Sequence, residues 1–270
     1  MTVALARPGS LAAALEHISA LSPYVTAGVV RDPSRTPEQW ITTDTLLAPD
    51  GDALDHQLDR FGEEAGTGVR RIQGLFFLIG YGWTTLTPVV FAYLFGDRLP
   101  RISDRSVSVW LDGGEGGAVA FDADATVPGP VGLDRLHDEI VGHIAPLVDA
   151  LHARTPLGRR ALWLNVADTV AGAFEHAGEV LGDPARAERE ARLLFGRRGS
   201  PLRSPRITFA DFEHRGQHKT LVSRGSCCLS YQIPNSGYCM SCPLIDETER
   251  ADRVRAWIDE ELAQVSTPSA

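Results

Sequence analysis

The chain has 270 residues, of which 43% are hydrophobic and 23% charged, enough apolar content to bury a core as one large domain or as a body with a smaller lobe. A formal net charge of −9 excludes general nucleic-acid binding, which needs a basic face to neutralise phosphates. The first eight residues carry their charge, Arg7, after the apolar start, and Glu16 and His17 break the next apolar run. That is a poor secretory signal, so the protein is expected to be cytoplasmic, where thiols stay reduced.

Ser10 is placed to cap a first helix, whose Leu11, Leu15, Ile18 and Leu21 recur at helical spacing until Pro23. Pro33, Pro37 and Pro49 make a loop-rich passage, within which Trp40 and Ile41 dock on the body. Asp50 or Asp52 starts an amphipathic helix over residues 54–61, closed by Gly62 or by residues 66–68. Residues 72–96 carry no charge, a length that would suit a membrane span. Gly74, Gly80, Gly82 and Pro88 interrupt them and Thr84, Thr85 and Thr87 add hydroxyls. This pattern predicts two buried helical pieces meeting around residues 83–88, with at most peripheral membrane association.

Val107, Val109 and Leu111 alternate with Ser106, Ser108 and Trp110, and a glycine-rich turn over 112–117 precedes Val119 and Phe121. This is the clearest hairpin in the chain; the turn lacks the Lys-Ser/Thr ending of a phosphate loop. A stripe of Leu133, Leu136, Ile140, Ile144, Leu147 and Leu151 predicts a helix bent near Pro146. Thr155-Pro156 reads as the start of the next, which carries Leu162, Val166, Val170 and Phe174, and Asp183-Pro184 begins another that ends at Gly196. His143, His152 and His176 lie on these helices, with no carboxylate spacing to reinforce a metal site.

Between residues 197 and 224 the charge changes sign: Arg197, Arg198, Arg203, Arg206, Arg215, Lys219 and Arg224 stand against Asp211 and Glu213. Singly these are solvated loop residues; together they make a cationic approach to the residues after Arg224. Over residues 246–264 a final helix turns Val254, Trp257, Ile258 and Leu262 inward, and residues 266–270 are expected to fray.

All four cysteines, Cys227, Cys228, Cys239 and Cys242, lie within one short stretch before that helix. Leu229, Tyr231 and Ile233 alternate like a short strand, and Pro234-Asn235-Ser236-Gly237 is a turn cluster, so the pattern predicts a hairpin that brings the two pairs together. Four thiolates so close need a cation or a bond between them. Zinc accepts four thiolates, although its usual knuckles are separated C-x-x-C pairs and one pair here is adjacent. An iron–sulfur cluster takes four thiolates on two irons. Two disulfides fit poorly with a chain of this length lacking an export signal.

The pattern Cys-Cys-x10-Cys-x2-Cys has Arg224 before it, Leu229 and Tyr231 after the first pair, and Gly237-Tyr238-Cys239 leading to Cys242-Pro243. It resembles the C-terminus of FhuF-type ferric siderophore reductases. Residues 162–167, Leu-Trp-Leu-Asn-Val-Ala, are similar to the Trp-x-Asn helix of that family. Gln232 departs where a basic residue is common, and Leu164 where glycine is common. The resemblance implies that Cys227, Cys228, Cys239 and Cys242 ligate a [2Fe–2S] cluster. It implies an oxidoreductase that gives one electron to a ferric siderophore in the cytosol and so releases Fe(II). Arg203, Arg206 and Arg224 are then the candidate contacts with the chelate. No G-x-G-x-x-G follows a strand, so a separate electron donor such as a ferredoxin or flavoprotein is expected. Two other readings stay open: a zinc-stapled binding domain, and an iron–sulfur sensor or carrier with no chelate substrate.

The expected fold class is α+β and predominantly helical. A helical body with a small β-hairpin or sheet, residues 1–196, carries a cluster-binding lobe, residues 197–270, made of a cysteine-rich hairpin and a closing helix.

Overall fold

The computed structural model describes residues 10–30, 40–95, 98–103, 107–111, 117–128 and 131–265. Helix α1 (Leu11–Leu21) starts at Ser10, whose hydroxyl oxygen accepts the Ala13 N–H at 3.2 Å, and it buries Leu11, Leu15 and Ile18. Strand β1 (Thr26–Val30) follows, then β2 (Ile41–Thr42) and a single helical turn, α2 (Thr43–Leu46). The next helix, α3 (Ala53–Glu64), begins after Asp52 and runs through Gly62, closing at Ala65.

Helix α4 (Arg70–Phe95) corrects the expectation of two pieces: it is one continuous helix with Pro88 inside it. Its glycines are points of contact, not breaks. A Cβ on Gly80 would lie 2.7 Å from the Phe61 ring and one on Gly74 would lie 2.9 Å from the Thr155 methyl, so both residues let neighbouring elements approach the helix axis. Pro88 costs one backbone hydrogen bond, and packing around the helix outweighs it. By length and composition α4 could cross a membrane, but 72% of its most apolar window is already buried against the rest of the protein. Its most extensive neighbour is α6.

Beyond α4 come β3 (Arg98–Pro100), β4 (Ser108–Leu111), β5 (Gly117–Asp122) and β6 (Thr126–Pro128). The predicted hairpin is present as antiparallel β4 and β5, with Val109 opposite Val119; its glycine-rich tip at 112–116 lies outside the described residues, as do Pro33, Pro37 and residues 266–270. The sheet order is β1-β5-β4-β2, with β1 parallel to β5, and β3 pairs separately with β6.

Three long helices complete the body: α5 (Leu133–Arg154), α6 (Arg159–Leu181) and α7 (Pro184–Gly196). Pro146 lies within α5, and Asp183 caps α7 through the Arg186 N–H. Thr155, expected to open α6, instead closes α5: its hydroxyl donates to the Leu151 carbonyl at 2.7 Å, and α6 starts after Gly158. Much of the basic stretch read as loop forms a hairpin, β7 (Thr208–His214) and β8 (Gln217–Ser223). Its two-residue turn has Arg215 and Gly216 at φ 48° and 75°, the left-handed pair that matches strand twist. The last helix, α8 (Glu247–Val265), buries Val254 and Ile258 as expected and leaves Trp257 half-buried.

Candidate cluster site and adjoining cavity

The segment leaving β8 is fastened to α6 by one carboxylate. The side chain of Asp168 is 0% exposed and accepts hydrogen bonds from the Gly225 N–H (2.6 Å), the Ser226 N–H (3.0 Å) and the Ser226 hydroxyl (2.5 Å). Arg224 places its Nε 3.5 Å from the same carboxylate, an ionic contact, and donates from its guanidinium to Asn165 Oδ1 at 2.8 Å. Burial pushes the Asp168 carboxyl above its ordinary range; Arg224 and the three donors pull against that. The Arg224 N–H also donates to the Ser241 carbonyl at 3.0 Å, which ties the start of the cysteine run to its end.

The cysteine run does not form the predicted strand. Leu229 adopts φ 64°, turning the chain directly after Cys228, and a 3-10 turn at Ser230–Gln232 comes next. That reversal aims the Leu229 N–H at the Cys227 sulfur, 3.3 Å away. At the other end the Leu244 N–H points at the Cys242 sulfur at 3.5 Å and the Ser241 hydroxyl at the Cys239 sulfur at 3.9 Å. Asn235, with φ 64°, supplies the left-handed residue of the intervening turn. Arg71 of α4 donates to Gln232 Oε1 at 2.6 Å, and Arg250 and Arg253 of α8 hold the Cys242 and Tyr238 carbonyls at 2.6 and 2.5 Å. The loop tip is exposed, with Tyr231 and Tyr238 each 39% accessible and their rings 5.3 Å apart.

All four thiols are free, Cys228 and Cys242 buried and Cys227 and Cys239 half-buried. Cys228 and Cys239 share a hydrogen bond, which holds the Cys228 thiol down to about 5 and drives that of Cys239 up. Burial raises Cys227. Arg224 lowers Cys227, Cys228 and Cys239 alike, so its cation acts on three of the four sulfurs.

Among the described residues no three His, Cys, Asp or Glu side chains converge to hold one ion. A two-iron cluster asks something different, two thiolates on each iron. Four free thiols in one loop, backbone N–H groups on their sulfurs and a cation beside them fit that demand. The histidines singled out are bound elsewhere: His143 to Tyr81 and the Ile102 carbonyl, His152 to the Leu157 carbonyl, His176 to Ser22.

Arg203 and Arg206 are exposed on the turns after α7 and do not line the cavity that borders the cysteine loop. Arg224 lines that cavity, which measures about 770 Å³. Met240 and Ser241, the residues between Cys239 and Cys242, form one wall. Asp168, Gly172, Glu175 and His176 of α6 also line the cavity, with Trp83 and Trp257 contributing aromatic surface. Sequence reasoning found neither this cavity nor Asp168. The available signal was an acidic row, Asp168, Glu175 and Glu179, on one face of a helix whose Leu162, Val166, Val170 and Phe174 form an apolar stripe.

Comparison with known families gives two matches. The family described as FhuF 2Fe-2S C-terminal domain matches residues 224–244, and the one described as Ferric iron reductase FhuF-like transporter matches residues 119–214. No curated protein matches the chain. The first match spans all four cysteines and names the cofactor as a 2Fe–2S cluster; the second covers α5, α6 and α7 and is ferric iron reductase-like. The matches fall one after the other on the helices that make the anchor and on the loop they hold, and together they support an FhuF-type family assignment.

Proposed function

We propose that the protein is a cytoplasmic ferric siderophore reductase, which passes one electron to Fe(III) held by a chelate and so releases Fe(II). Hard oxygen ligands grip Fe(III) far better than Fe(II), so a single electron suffices to loosen the complex. Held by Cys227, Cys228, Cys239 and Cys242, the [2Fe–2S] cluster supplies that one-electron chemistry. The chain's own residues do the rest. Asp168 and Asn165 hold Arg224, which lines the cavity and bears on the thiols at once. The cavity has the size of a small-molecule site and aromatic walls suited to excluding water. A separate one-electron donor, a ferredoxin or flavoprotein, completes the cycle.

The observation that carries this reading is the shared wall: Met240 and Ser241 belong both to the cysteine loop and to the cavity. A chelate seated there would lie beside the sulfurs. The test is anaerobic purification with iron and sulfide analysis, then titration of the dithionite-reduced protein with ferric chelates. Stoichiometric oxidation without any partner protein supports a reductase, and reduced protein that no chelate oxidises supports a carrier or sensor. Colourless zinc-bearing protein would overturn both. Among the arginines, Arg224→Gln is expected to weaken chelate binding, and Arg203→Ala with Arg206→Ala to leave it unchanged.

A further inference from the structure

Glu175 sits two helical turns beyond Asp168 on α6 and lines two cavities. One is the large cavity beside the cysteine loop. The other, about 130 Å³, is lined by Glu188 of α7 and by His218 and Lys219 of β8. A carboxyl placed between two spaces can be discharged into one and recharged from the other.

Its surroundings favour the protonated form. The Val222 N–H donates to Oε2 at 2.7 Å, which orients the group and leaves Oε1 to carry a proton. Lys219, the nearest cation, is already engaged by Glu179 at 2.5 Å and Glu261 at 3.8 Å. Arg224 is occupied by Asp168 and Asn165, and Arg250 by the Cys242 carbonyl. His176, on the same helix, is bonded to Ser22, and burial lowers its pKa. His218, which lines the smaller cavity, faces Asp211 at 3.8 Å. Burial pushes Glu175 up to about 7, with the Val222 N–H and Lys219 opposing and Glu179 reinforcing.

We propose that Glu175 is the acid that protonates the chelate's oxygen donors as iron leaves, an inference that rests on the chelate reading of the large cavity. One electron, from an iron–sulfur donor, converts Fe(III) to Fe(II). An Fe–O bond then breaks with its electron pair staying on oxygen, and that oxygen bonds the proton from Glu175. Glu175 is left as a carboxylate and takes a new proton from water through the smaller cavity. Without such an acid the freed oxygen would remain an anion beside the metal and recapture it.

The test uses the cluster-loaded protein and its Glu175→Gln variant, in which the amide oxygen can still accept the Val222 N–H. Infrared titration of the resting wild-type protein should show a protonated-carboxyl band that disappears near neutral pH and is missing in the variant. Affinity for a redox-silent Ga(III) trihydroxamate, read by tryptophan quenching, should agree within about twofold between the two proteins. In single turnover with a ferric trihydroxamate, Fe(II) release by the wild type should slow as pH rises above 7. The variant should be about 100-fold slower at pH 6, the size of a general-acid contribution, and nearly independent of pH. Glu175→Asp should restore part of the pH dependence. A variant with the wild-type rate and profile, or a wild-type protein with no titrating band, overturns the proposal. Failure of the wild type to reduce any chelate would remove the functional reading as well, so the two failures are distinct.

Discussion

Replacing Asp168 with alanine should unfasten the cysteine loop from the helical body. The carboxylate is inaccessible to water and serves three hydrogen-bond donors, besides facing a guanidinium that is itself only 14% exposed. Burial works against its ionised form, so the net stabilisation is smaller than four contacts would suggest. Removing it alone is different, because the donors and Arg224 stay buried with fewer acceptors. A broken buried pair costs roughly 3–5 kcal/mol, and each stranded donor about 1–3 kcal/mol within that total. Arg224→Met should cost less, since Asp168 would keep its three donors, and the double variant should recover part of the loss. The coupling expected from a double-mutant cycle in urea is about 1–3 kcal/mol, and loss of visible absorbance from the single variants should be faster than from the wild type. Effects that add to within about 0.5 kcal/mol, together with unchanged cluster retention, would refute the assignment of Asp168 as the anchor.

Two other outcomes rest on the packing and on Glu175. Gly80→Ala would set a Cβ 2.7 Å from the Phe61 ring in a filled core, and the urea midpoint should fall by the equivalent of about 1–3 kcal/mol, whereas Gly28→Ala, with nothing within 4 Å, should show no such clash. For Glu175 the folded protein disfavours the charge: from the ordinary value of 4.5 the pKa rises to about 7. The penalty is absent below pH 4.5, grows between 4.5 and 7 and is constant above. Glu175→Gln should therefore be more stable than the wild type by roughly 3 kcal/mol at pH 8 and show no such gain at pH 4, measured by urea unfolding at both pH values.

The parts of the fold that could be read from sequence are those whose signals are local. Ser10 and Asp183 cap helices through their own side chains, and the alternation around Val109 and Val119 makes a hairpin without help from distant residues. Strand β1 escaped because its partner, β5, lies some ninety positions away and pairs in parallel, so neither strand announces the other. The β7–β8 hairpin was hidden by its charge: the sequence shows a basic run, while the turn depends on Arg215 accepting a left-handed backbone. At the site, the cysteines were legible because their spacing carries the chemistry. Asp168 was not, because its meaning depends on Gly225 and Ser226 arriving from far along the chain. Arg203 and Arg206 seemed equivalent to Arg224 as charges, and only the packing separates them.

Helix α6 carries both Asp168 and Glu175, and seven residues of α-helix span about 10 Å and return to nearly the same azimuth. The helix is therefore a ruler between the fastening of the cysteines and the acid in the cavity wall, one that bending of the surface hairpin would not stretch. A single inserted residue between the two would swing one of them by about 100° around the axis. Length changes should thus be tolerated in the β7–β8 turn and not in this stretch of α6.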